Sequence, residues 1–192
     1  MTSTERPEKP GLIRRRTIHE GRIVNLSVDQ VRFPDGSTGE LEMIRHSGAA
    51  AALPVLGSDD EPDPPIVLVR QYRYAAGGEL LEVPAGRPDR HDEPWETCAA
   101  REVEEETGLR PGRLVHLTTI YTTPGFTDER ILLFLALDCV DGDVAPDDDE
   151  FLQPVRMRLS EAIAAVGSGR ITDAKTICLL LYVEQFARDL LR

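Results

Sequence analysis

Residues 86–109, GRPDRHDEPWETCAAREVEEETGL, decide how the chain is read. Their second half sets Glu102, Glu104, Glu105 and Glu106 close together. An α-helix turns about 100° per residue, so Glu102, Glu105 and Glu106 share one face. Trp95, Cys98 and Ala99 fall within about 60° of Glu102 and Glu106 by the same step, so the carboxylates continue an apolar, inward stripe. Like charges at that spacing destabilise a helix unless something positive sits among them. A bare acidic run is ordinarily a solvated face, but carboxylates on an inward stripe need a partner. Hard oxygen ligands suit Mg²⁺, Mn²⁺ or Ca²⁺, so the spacing predicts a metal cage.

The helix is expected to start at Pro94, with Asp92 or Glu93 as its cap, and to stop at Gly108. The run from Arg101 to Leu109, REVEEETGL, resembles the Nudix box, whose pattern ends R-E-U-x-E-E-x-G-U with U aliphatic. That pattern opens with a glycine, five residues and a glutamate. Here six residues separate Gly86 from Glu93, which puts one extra residue in the loop before the helix. Loops absorb insertions more readily than helices do. The resemblance implies an α/β fold, a Nudix-type α/β/α sandwich with a mixed β-sheet between helices. It also implies Glu102, Glu105 and Glu106, with the Ala85 carbonyl, as ligands of Mg²⁺ or Mn²⁺. Arg101 would position those glutamates through an ion pair.

The flanks narrow the resemblance to the ADP-ribose pyrophosphatase branch of that family. Gln71-Tyr72-Arg73 ends one apolar run, and Glu82-Val83-Pro84-Ala85-Gly86 leads into the box. Arg73 reads either as a surface ion pair with a nearby acid or, by resemblance, as a contact to substrate phosphate or ribose. Glu82 is implied near the substrate. Pro124 stands fifteen residues past Leu109 and opens P-G-F-T-D-E, which includes Asp128. On its own, Pro-Gly between strands is a turn; at this spacing the resemblance implies substrate selection. The loop 141–150, DGDVAPDDDE, is a solvated acidic segment by composition. By resemblance it holds the acid that activates water, Glu150 first and Asp148 second. Asp148 stands where related loops carry a glutamate. The implied reaction is Mg²⁺-dependent hydrolysis of ADP-ribose to AMP and ribose 5-phosphate. Two alternatives stay open: another nucleoside diphosphate sugar such as GDP-mannose, or a sensor that binds ADP-ribose without cleaving it. Members of the branch are commonly homodimers through their N-terminal strands, so a homodimer is implied as well.

Bulk properties set the frame. A chain of 192 residues with 41% hydrophobic content supports one sizeable core. Its net charge of −12 argues against nucleic-acid or anionic-membrane partners. The same charge requires cations or local arginines to receive a phosphate-rich substrate. Cys98, Cys139 and Cys178 lie in apolar segments without metal spacing and read as reduced core residues of a cytoplasmic protein. No apolar run approaches the roughly 20 residues of a spanning helix. Residues 1–12 read as a disordered tail and 13–192 as a single domain, with N-terminal strands over 13–47 in possible dimer contact. Arg14-Arg15-Arg16 reads as solvated surface.

In chain order, strand and turn signals predict a hairpin over 22–45 with its turn at Pro34-Asp35-Gly36. Further strands are predicted at 49–56, 66–69, 114–121 and 131–140, the first two covered on both faces. A helix over 159–166 is expected with Ser160 as cap. A final helix should reach Leu191 from a cap at Thr172 or Asp173, with Ile177, Leu180, Leu181 and Val183 inward. The four histidines show no ligand spacing.

Overall fold

A computed structural model describes residues 9–57, 61–142 and 152–191. Its strands are β1 (Gly11–Glu20), β2 (Asn25–Arg32), β3 (Thr38–Arg45), β4 (Ala49–Pro54), β5 (Pro65–Arg73), β6 (Gly78–Glu82) and β7 (Ala85–Gly86). Helix α1 (Trp95–Thr107) follows, then β8 (Leu109–Arg110), β9 (Arg113–Tyr121), β10 (Arg130–Leu137), β11 (Val140–Asp141) and β12 (Leu152–Arg158). Helices α2 (Leu159–Gly167) and α3 (Ala174–Phe186) come last, before a short 3₁₀ turn over Arg188–Leu191. The chain divides into two compact units, residues 1–47 with 123–129, and residues 48–122 with 130–192.

In the first unit β1, β2 and β3 form an antiparallel meander. The β2–β3 turn forms at Pro34-Asp35-Gly36. Gly36 takes φ 85°, a left-handed value that glycine adopts without steric cost. Its N–H donates to Phe33 O at 3.0 Å. Strand β1 falls in the N-terminal strand region expected over 13–47, but its start corrects the tail boundary. It begins at Gly11, inside the stretch read as tail, and takes in the arginine triplet. Arg15 forks Asp29 with Nε at 3.0 Å and Nη2 at 3.2 Å, while Ser27 Oγ and Arg45 donate to the same buried carboxylate. The loop 123–129 is laced to the end of β3, with Ile44 N–H donating to Phe126 O at 2.7 Å.

The second unit holds a mixed sheet in the order β7-β4-β10-β9, in which β4 and β10 run parallel. Beside it lies an antiparallel sheet in the order β12-β5-β6. Strand side chains alternate between two faces, and here both faces are buried. Ala49, Ala51 and Leu53 of β4, Ile131, Leu133 and Leu135 of β10, and Ile66 and Leu68 of β5 share a core with α2 and α3. Ala50, Ala52, Phe134, Ala136 and Val67, from the opposite face, pack with Cys98, Ala99 and Val103 of α1. Sheets with α1 on one face and α2 and α3 on the other make an α/β/α sandwich.

The structure corrects several element ends. Pro94 is the N-cap of α1, not its first helical residue, and neither Asp92 nor Glu93 caps it. Proline serves there because its carbonyl accepts the first helical bond, from Cys98 N–H at 3.0 Å, and no N–H is needed. Strand β10 stops at Leu137 because Asp138 turns to φ 55°. Arg158 precedes α2, and Ser160 lies inside it, where its N–H and Oγ both donate to Asp63. Asp173 caps α3 by accepting from Thr176 N–H at 2.9 Å, but the helix ends at Phe186. Leu179, not Leu181, completes its buried face, and Leu181 is exposed. Of the cysteines only Cys98 is buried; Cys178 is exposed. Among the described residues no helix is long and apolar enough to cross a membrane.

The first unit carries a pH-dependent component. The Arg15 fork, helped by Ser27 and Arg45 against the cost of burial, lowers Asp29 to about 2. A depressed carboxylate stabilises the fold above its unfolded value near 4, and the contribution is lost as pH falls through the folded value. Calorimetric melting of Asp29→Asn should therefore give a lower midpoint than wild type at pH 7 and a shallower decline between pH 4 and 2. Parallel curves for the two proteins would rule this pairing out.

Candidate active site

Alanine makes the site possible. Four successive alanines, Ala49–Ala52, leave β4 flat enough for α1 to lie close against it through Cys98, Ala99 and Val103. The helix stops at Gly108, whose φ of 70° suits glycine and whose N–H donates to Glu104 O at 2.8 Å. Between these limits Glu102 and Glu106 are buried and Glu105 is partly exposed, on one helix face.

Arg101 supplies the positive charge that this face requires. Its Nη1 lies 2.9 Å from Glu102 Oε1 and 2.8 Å from Glu105 Oε2. Its Nε reaches Glu93 Oε1 at 3.3 Å, and its Nη2 donates to the Arg87 carbonyl at 3.0 Å. Burial works against the guanidinium's charge, but Glu102, Glu93 and Glu105 outweigh it and raise its pKa. Glu93 also accepts from Asp89 N–H at 2.7 Å, closing the loop that carries the extra residue. Burial opposes its ionisation too, and the Asp89 bond with Arg101 prevails, lowering its pKa. Cys98 is no nucleophile, since burial pushes its thiol up to about 12.

Strand β7 brings the backbone to these acids. Ala85 and Gly86 pair with Ala51 and Ala50 of β4. A Cβ on Gly86 would overlap the Glu102 carboxylate, so only a glycine leaves that carboxylate its place against the chain. The three carboxylates and the Ala85 carbonyl could together offer a donor set of oxygen alone, of the kind that fits a hard divalent cation. Among the described residues no three acidic, histidine or cysteine side chains are gathered into a ready cage. Glu102 and Glu105 both face Arg101, each through one carboxylate oxygen.

The residues before the box form a second group. Arg73, at the end of β5, forks Glu82 with Nε to Oε1 and Nη2 to Oε2, each at 2.9 Å. Glu82 is 1% exposed. Lys175, on the first turn of α3, pairs with the same carboxylate and with Asp173 Oδ2 at 3.1 Å. Burial resists ionisation of Glu82, but Arg73 and Lys175 together lower its pKa. The charge of Glu106 reaches Arg73 as well. The sequence points to Arg73 and Glu82 here, and to Asp173 only as a helix cap; Lys175 and Thr176 were not anticipated. One signal was present: a lysine in a helix's first turn opposes the helix dipole and requires a nearby anion.

Pro124 and Asp128 belong to the first unit. Pro124 is exposed. Asp128 engages both carboxylate oxygens within that unit, accepting from Arg45 Nη1 and from His46 N–H, each at 2.9 Å. Asp148 and Glu150, the candidate bases, lie outside the described residues.

Comparison with known proteins gives a consistent result. A family model for the NUDIX domain matches residues 45–180. The chain is 36% identical over 174 residues to an ADP-ribose pyrophosphatase of Bacillus subtilis (strain 168), spanning 90% of this chain and 91% of that protein. A methanol dehydrogenase activator of Bacillus methanolicus is also 36% identical over 174 residues, with the same coverage of 90% and 91%. A crystal structure of an ADP compounds hydrolase superposes with a TM-score of 0.79, covering 97% of this chain and 98% of its own, at 21% identity, a likeness of fold.

Gly86→Ala tests the β7 arrangement. The atom in the way is the tip of a flexible side chain, so stability should stay within about 1 kcal/mol of wild type. Glu102 is displaced, and Mn²⁺ affinity, measured by calorimetry, should weaken at least about tenfold, one 1.4 kcal/mol step. Unchanged Mn²⁺ affinity would remove Glu102 from the ligand set.

Proposed function

We propose that this chain, which belongs to the Nudix family, hydrolyses the diphosphate of ADP-ribose to AMP and ribose 5-phosphate with Mg²⁺ or Mn²⁺. The observation that carries the reading is the single face of α1 on which Glu102, Glu105 and Glu106 lie, with Glu102 seated against Gly86. Those carboxylates and the Ala85 carbonyl would hold the cation. When bound, it offsets diphosphate charge and lowers the pKa of water.

The chain's own residues do the rest. Arg101 positions Glu102 and Glu105 through ion pairs to both, so that their carboxylates would be set to hold the cation. Arg73, fixed by Glu82, meets the substrate's phosphate. Glu150, or failing it Asp148, takes the proton from water as a phosphorus–oxygen bond of the diphosphate breaks. Pro124 sits on the loop that selects the nucleotide sugar, and Asp128 holds that loop in shape through Arg45 and His46 N–H.

The protein acts as a homodimer in this reading. All ten residues of β1 are exposed although they form a paired strand, and Leu12, Ile13 and Ile18 are apolar. A second copy covering that surface accounts for such a strand. Three free cysteines fit a reducing cytoplasm.

Incubation with ADP-ribose and Mg²⁺, followed by chromatography for AMP, tests the reaction, with GDP-mannose as the competing substrate. AMP should form only with the cation present. Glu106→Gln should lower kcat by several orders of magnitude with the fold intact. Retention of more than about a tenth of the wild-type rate, one 1.36 kcal/mol step in barrier, would show the metal assignment to be wrong.

A further inference from the structure

Helix α3 opens with Asp173-Ala174-Lys175-Thr176, Asp173 being the N-cap. A lysine in this first turn faces the positive end of the helix dipole. Burying its ammonium adds a desolvation cost that only close anions offset. Lys175 bears both: its side chain is 11% exposed, and Nζ sits between the Glu82 carboxylate and Asp173 Oδ2. Holding α3 against the strand does not require it, because Val83 N–H donates to Thr176 Oγ1 at 2.9 Å.

The arrangement makes sense as charge balance around Arg73. Two carboxylates and two cations, Glu82, Asp173, Arg73 and Lys175, sum to zero. Arg73 uses Nε and Nη2 on Glu82, so the planar guanidinium leaves Nη1 on its far side. Arg73 is also the more open cation, with its side chain 40% exposed. Without Lys175 the group carries one net negative charge and Arg73 alone must answer Glu82. A diphosphate approaching an acidic chain would then meet repulsion where it needs attraction.

We propose that Lys175 is a positioning residue for substrate binding: it shares Glu82 with Arg73, keeps the group neutral, and leaves Arg73 Nη1 to a phosphate oxygen of a nucleoside diphosphate. This rests on the reading that Arg73 meets the phosphate of ADP-ribose. Lys175 touches no reacting atom, so its removal acts on binding and not on the chemical step.

The test compares wild type, Lys175→Met and Lys175→Arg at low and moderate salt, with folding followed by circular dichroism. In Lys175→Met the KM for ADP-ribose should rise about tenfold at low salt with kcat within about twofold. The Kd for ADP-ribose, measured calorimetrically in EDTA, should weaken by the same factor. Added salt should narrow the gap, and Lys175→Arg should return KM and Kd to within about threefold of wild type. If Lys175→Met does not fold, Lys175→Gln carries the same expectation. A folded variant with unchanged KM and Kd overturns the proposal, whatever its thermal midpoint, and so does a loss confined to kcat. Wild-type protein that binds ADP-ribose but releases no AMP refutes the hydrolytic reading alone, and the Kd comparison still decides the role of Lys175. Wild-type protein that does not bind ADP-ribose overturns both.

Discussion

The constraint on which the second unit depends is the mutual repulsion of acids that share one helix face. Glu102 and Glu106 are buried on that face, and Glu105 joins them. Three carboxylates at i, i+3 and i+4 destabilise an isolated helix turn, and burial raises the cost. Arg101 answers by contacting Glu102, Glu105 and Glu93 at once. Its rigid fork suits that task where the point charge of a lysine would not. One guanidinium nitrogen thereby neutralises two carboxylates of the face together.

The strand before the box is gripped from both sides. On one side Gly86 lies against Glu102 of α1, with no room for a side chain. On the other, Val83 N–H is held by Thr176 of α3, whose own Oγ1 donates to Asp173 at 2.6 Å. Residues 82–86 therefore take their position from two helices on opposite faces of the sandwich. That explains why the alternation of faces along β4 matters for chemistry: Ala50 and Ala52 set the depth of α1, while Ala51 and Leu53 set that of the other helices. Packing on each face fixes where the Ala85 carbonyl sits.

What was legible in the sequence is what local periodicity encodes. The box helix could be read because its apolar and acidic positions share one 3.6-residue stripe, and β4 because an unbroken apolar run needs cover on both faces. Strand β1 was expected only as part of an N-terminal strand region from residue 13; its start at Gly11 and the place of Arg14-Arg15-Arg16 within it were not legible, since no face of it is buried and that run shows no alternation. Its pairing with β2 is visible only in three dimensions, through partners such as Asp29. The cap of α2 was assigned to Ser160 because local rules look for an oxygen beside the helix, whereas the oxygen comes from Asp63, across a long chain separation. Lys175 escaped for the same reason, as its meaning lies in Glu82, brought to it by the fold.

An acidic chain that handles a polyanion must place its few cations with care, and the structure divides that labour by burial. Arg101 is enclosed and serves the glutamates; Lys175 is enclosed and serves Glu82. Arg73 alone of the three keeps a substantial exposed fraction, and a buried carboxylate anchors it from behind. An exposed arginine on a flexible stem loses rotamer freedom when it binds an anion. One already forked to Glu82 has lost much of that freedom in the folded state. The two salt links to Glu82 thus act on entropy as well as on charge: they hold Arg73 still, with one edge of its guanidinium turned away from Glu82.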